Sequence, residues 1–131
     1  MLKRQAGSQT ENRLAPSFDH ASSLGREMLD DRRLFLLREN RMPDYLRKGW
    51  GAVYLEALGE NKISPMDLVI RLAPKMPELF ESWLKRIGNV TNEDVHSIVE
   101  QVPAGWMSSA QQDFAVALIC QSRNQLAKII S

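Results

Sequence analysis

The chain has 131 residues, enough for one domain or for part of a larger one. A charged fraction of 25% beside an apolar fraction of 44% is that of a folded soluble domain and excludes a disordered chain. A net charge of +1 gives no global attraction to nucleic acid or an anionic membrane, and a single cysteine, Cys120, excludes an intrachain disulfide.

Residues 1–12 are polar and carry Gly7, Ser8, Gln9, Thr10, Glu11 and Asn12, which read as a frayed tail or the tip of a hairpin. Met1-Leu-Lys-Arg-Gln-Ala-Gly-Ser8 has no apolar core and is not a secretory signal, so a cytoplasmic location is the expectation. Leu14 and Ala15 read as the end of a short strand that Pro16 stops, because proline cannot donate to a ladder. Phe18 is an anchor, and Asp19 stands at the mouth of the small-residue loop from His20 to Ser23. An aspartate so placed can close a turn on its own backbone, or can grip a metal–phosphate complex.

A helix is expected from about Asp30 to Asn40, capped by Asp30 or Asp31, with Leu34 and Leu37 on one face. Pro43 opens a second short helix through Lys48, and Gly49-Trp-Gly51 is a hinge or turn. Ala52 to Leu58 suits either strand or helix. Arg32, Arg33, Arg38, Arg41, Arg47 and Lys48 form the richest basic region. Asp30, Asp31, Glu39 and Asp44 interleave with them, which favours a solvated, ion-paired helix face over a phosphate site.

The second half is helical by pattern. Ser64-Pro-Met-Asp67 opens a helix that buries Met66, Val69, Ile70 and Ala73. Pro77 opens another to about Ile87, with Leu79, Phe80, Trp83, Leu84 and Ile87 inward and Gly88 as its stop. Thr91 caps a third, with Val95, Ile98, Val99 and Val102 on one stripe. Ser108 or Ser109 starts a long helix to about Ile130, apolar all round in its middle and therefore central to a bundle. Its apolar run Phe114–Cys120 is far below the roughly 20 residues needed to cross a bilayer.

Few chemistries fit. His20, His96 and Cys120 are too scattered for zinc, and Ser22 and Ser23 have only His20 as a neighbouring base. Neither an acyl-transfer elbow nor a phosphate loop is present. A helix-turn-helix at Glu93–Ala127 is disfavoured, because Phe114 to Leu118 offers no polar groups to base edges.

Leu14-Ala-Pro-Ser-Phe-Asp-His-Ala-Ser-Ser-Leu-Gly25 resembles the metal-binding segment of HipA-like kinases, bacterial relatives of the protein-kinase fold. Lys62-Ile-Ser-Pro-Met-Asp-Leu-Val69 and Val102-Pro-Ala-Gly-Trp-Met-Ser108 are similar to the helical tail of that family. The resemblance implies that Asp19 is the metal-binding aspartate equivalent to that of the D-F-G motif. It also implies a mainly α fold, a helical C-terminal lobe over residues 13–131 with a strand-and-loop remnant at its front. The nucleotide lobe and catalytic loop would lie before the first residue. The implied function is that of a C-terminal fragment of a serine/threonine kinase of toxin–antitoxin type, without catalytic residues of its own. Mg and ATP would bind only if a second polypeptide supplied the missing lobe. The alternatives are one half of a split kinase that phosphorylates a protein, or a non-enzymatic helical interaction module or gene remnant. Expected partners are that complementary lobe or a second copy, with no nucleic acid and no membrane.

Overall fold

The computed structural model describes residues 2–6, 9–13, 23–49 and 62–129. It is mainly α. A hairpin of β1 (Leu2–Ala6) and β2 (Gln9–Arg13) pairs antiparallel with Leu2 opposite Arg13 and Ala6 opposite Gln9, so the polar N-terminal stretch is a hairpin. A tight 3-10 turn at Ser23–Gly25 leads to α1 (Asp30–Arg38), α2 (Met42–Lys48), α3 (Pro65–Leu72), α4 (Pro77–Gly88), α5 (Asn92–Glu100) and α6 (Ser109–Ala127). Asp19 lies outside the described residues, as do Leu14–Ser22 and the ambiguous stretch Ala52–Leu58.

Polar side chains start three of these helices as their sequences dictate. Ser64 Oγ accepts a hydrogen bond from the Asp67 amide at 3.0 Å, with Pro65 in the first turn where its missing N–H costs nothing. Thr91 and Asp94 form a reciprocal capping box, and so do Ser108 and Gln111. Helix α1 departs from expectation. Its N-cap is Leu29, with no side-chain cap, because Asp30 is engaged with Arg33. At its other end Asn40 takes a positive φ of 49°. The amides of Asn40 and Arg41 then reach back to the carbonyls of Leu37 and Leu36, closing the helix as a glycine would.

Helix α6 is central, as its all-round apolar middle predicts, and it touches every other helix and the Ser23–Gly25 turn. Phe114 is fully buried, and Ala115 and Leu118 are buried beside it. Leu36 of α1 and Met42 of α2 complete a core with Phe114 and Leu118, against which Met28, Leu37, Tyr45 and Leu46 pack. The Tyr45 ring meets the Phe114 ring edge-on, at 5.4 Å between centroids.

Several faces are narrower than expected. On α4 only Leu84 is buried, while Leu79 is 54% and Trp83 50% exposed. Ile98 on α5 is 68% exposed, and Ile70 on α3 is also exposed. Helices α4 and α5 pack against α6, and α3 against α2 and α6, which leaves part of each apolar stripe outside.

The turn before α1 is tied down from two sides. Gly25 has φ +68°, and a Cβ built there would stand 2.7 Å from Cε1 of Phe114. Arg33, expected on a solvated face, is instead 2% exposed. Its Nη2 donates to the carbonyls of Gly25 at 2.8 Å and Arg26 at 3.1 Å, and its Nη1 meets Asp30 at 2.6 Å. The side chain left the surface because backbone carbonyls in the turn needed a donor.

The Gly25→Ala substitution should therefore cost roughly 2–4 kcal/mol, the sum of a left-handed alanine and an overpacked contact with a side chain that cannot retreat. Urea unfolding of both proteins measures this; a loss no larger than that of an exposed-surface substitution would contradict it. A second expectation concerns Asp94, whose hydrogen bonds from the Thr91 backbone and hydroxyl hold its carboxyl below the ordinary 3.8. Its contribution is present above the unfolded pKa and lost as pH falls through the folded one. Asp94→Ala should be less stable than the parent at neutral pH, and the difference should vanish below the folded pKa. A pH-independent difference in melting temperature would refute the assignment.

Candidate functional site

The 3-10 turn, α2, the end of α4 and α6 enclose one groove. Its walls are Leu24 from the 3-10 turn, Leu46 from α2, Ile87 at the end of α4, Val90, and Leu118, Ile119 and Leu126 from α6. The groove has a volume of about 420 Å³ and is almost wholly apolar. Ser122 also lines it, but its hydroxyl donates to the Leu118 carbonyl at 2.8 Å, so no unsatisfied polar group faces inward. Arg123 stands at the rim and is turned to the backbone: Nη1 donates to the Val90 carbonyl and Nη2 to Asn92 Oδ1, each at 2.7 Å. That clamp holds the α4–α5 connection against α6 and keeps the groove's far wall in place.

Trp83 and Leu79 extend this surface. Trp83 precedes Ile87 by one helical turn, and Leu79 precedes Trp83 by another, so the three share a row. The Arg86 guanidinium lies over the Trp83 ring, 4.8 Å from its centroid, and fixes the indole as a projecting ridge. Ile87, the last member of that row, is the one that lines the groove.

Leu24 shows that the groove wall is set under strain. Its φ is +57°, a conformation costing a non-glycine residue roughly 1–2 kcal/mol. It is nonetheless 43% exposed. The adjacent Gly25 is wedged on Phe114, and its carbonyl is held by Arg33.

Asp19, His20 and Ser22 lie outside the described residues, and Ser23 opens the turn beside the groove. His96 is exposed on α5 and Cys120 is half-buried on α6. Among the described residues no group of histidine, cysteine, aspartate or glutamate has the arrangement of a metal site, and no helix is long and apolar enough to cross a membrane. The basic region divides. Arg41 and Arg47 both bind Asp44, whose carboxyl is held below its ordinary range chiefly by the hydrogen bond from Arg47. Arg33 is buried, while Arg32 and Lys48 remain exposed.

The groove was missed in the sequence because its residues come from four separate segments. One signal was available: α4 has apolar residues at 79, 80, 83, 84 and 87, a wider stripe than one neighbouring helix covers. Searches against protein-family models, characterised proteins and solved structures find no match to this chain.

Proposed function

We propose that this chain is a non-enzymatic helical interaction module whose first partner is a second copy of itself. The observation that carries this is the adjoining ridge and recess. Leu79 and Trp83 project beside an apolar groove that has no polar group to satisfy. Under a twofold axis the ridge of each copy enters the groove of the other, and both are buried at once. Exposed apolar surface that is contiguous in this way marks an interface far more often than scattered leucines do. A tryptophan ridge at its centre has the composition of an energetic hot spot. The strained Leu24 in the wall fits a surface held for binding, since strain of this kind collects where a site must be presented.

A second reading is that the chain is the C-terminal helical lobe of a HipA-like kinase, completed by another polypeptide into a protein kinase. It is supported by the three sequence segments, one of which, Lys62–Val69, contains the Ser64-capped start of α3. On that reading Asp19 binds metal only in the assembled pair, and the isolated chain is inert toward nucleotide.

Self-association tests the first reading, titration of the isolated chain with nucleotide should be blank on both, and reconstituted phosphorylation tests the second. Sedimentation equilibrium of the purified chain should show a concentration-dependent dimer that Trp83→Ser abolishes. The exposed position of Trp83 predicts that the monomer it leaves is fully folded. A wild-type monomer at high concentration, with no binding of a dye for apolar surface, would overturn self-association. Calorimetric titration with ATP and magnesium should show no saturable micromolar site in the isolated chain. Phosphorylation of a protein substrate after adding a polypeptide that carries a kinase N-terminal lobe would establish the second reading.

A further inference from the structure

On the side of α2 away from Leu46, helices α1 and α2 enclose a separate cleft of about 250 Å³, lined by Arg32, Phe35, Leu36, Arg41, Asp44, Tyr45 and Lys48. Its floor is apolar and rigid. Leu36 is 3% exposed, and the Tyr45 ring is fixed edge-on against the fully buried Phe114. Phe35 forms a wall and is 46% exposed, which is unusual for a phenylalanine beside a buried core.

The rim is cationic. Three positive side chains face one carboxylate, Asp44, which already serves both Arg41 and Arg47. Among the described residues Arg32 and Lys48 make no ion pair with a carboxylate, and Arg32 is poised over the Phe35 ring with its Cζ 5.0 Å from the centroid. A planar guanidinium so placed can grip an oxyanion with its edge while its face meets a flat ring.

From this juxtaposition we infer that the α1–α2 cleft is a binding site for a monoaryl phosphate. The size agrees: a cavity of about 150 Å³ accepts a benzene ring in another protein, so this one holds a ring with room left for a phosphate head. The charge agrees as well. The two cations that pair with no carboxylate among the described residues match a phosphate ester, which carries about −1.5 to −2 charge at pH 7. An alkyl anion would make less use of the aromatic wall that Phe35 and Tyr45 give the cleft, and a neutral arene would leave the cations unmatched. The ester could be free or could be a phosphotyrosyl side chain. The site shares no lining residue with the α4–α6 groove, so it stands or falls independently of self-association.

The test is titration of the intact chain with phenyl phosphate, inorganic phosphate and phenol, followed by amide chemical shifts. Phenyl phosphate should bind with a Kd of about 1 mM or tighter, as its few heavy atoms allow. Its shifts should centre on residues 32–36 and 44–48, and inorganic phosphate and phenol should each bind at least about tenfold more weakly, since each loses one half of the contact. Lys48→Glu and Arg32→Glu, both at exposed positions, should each weaken phenyl phosphate by about tenfold or more with the helical spectrum unchanged. Equal binding of inorganic phosphate, insensitivity to both charge reversals, or shifts centred elsewhere would each overturn the proposal. A tyrosine-phosphorylated peptide in parallel identifies the source. Binding tighter than that of the free ester assigns a protein-borne ligand, and binding of the free ester alone assigns a small molecule.

Discussion

A buried arginine holds the front of this bundle together. Arg33 gives one arm of its guanidinium to two successive carbonyls of the turn before α1 and the other to Asp30. Taking the charge out of water is costly, but Asp30 remains 44% exposed and the turn carbonyls accept charge-assisted hydrogen bonds that water would otherwise have to supply. The partner of the clasp is steric. Gly25 lies so close to Phe114 that only a hydrogen fits between backbone and ring. Polar grip from one side and van der Waals contact from the other leave the turn a single position.

Much of the remaining architecture follows from that position. Fixing the turn against Phe114 sets α1 on α6, and Leu36 then enters the same core one turn beyond Arg33. Beside Gly25, Leu24 takes a left-handed conformation and lines the groove. Helix α6 links the parts. Phe114 faces the clasp, Leu118 and Leu126 form the floor and wall of the groove, and Arg123 secures the α4–α5 connection. The α1–α2 cleft depends on the same ring, since Tyr45 is oriented by its edge-on contact with Phe114.

Local chemistry was legible in the chain and pairing between segments was not. Ser64, Thr91 and Ser108 announce helix starts because their hydroxyls satisfy amides two or three residues on, a matter of adjacent residues only. The central place of α6 could be read from its all-round apolar middle. Leu79, Trp83 and Ile98 read as buried, because periodicity reports that a face is apolar and not how many neighbours cover it. Arg33 sits in a run of charged residues that looks solvated, and nothing within its own helix reveals carbonyls seven and eight residues back that need a donor. Asp19, the residue on which the kinase resemblance turns, falls outside the described residues, so its role rests on the sequence alone.

If the clasp is one device, its two halves must be energetically coupled. A double-mutant cycle of Arg33→Met and Gly25→Ala, followed by urea unfolding, measures this directly. The account predicts that the double mutant loses less than the sum of the single losses, by about 1 kcal/mol or more, because displacing the turn with either change already spoils the contact of the other. Additive losses within about 0.5 kcal/mol would show two independent contacts and contradict it.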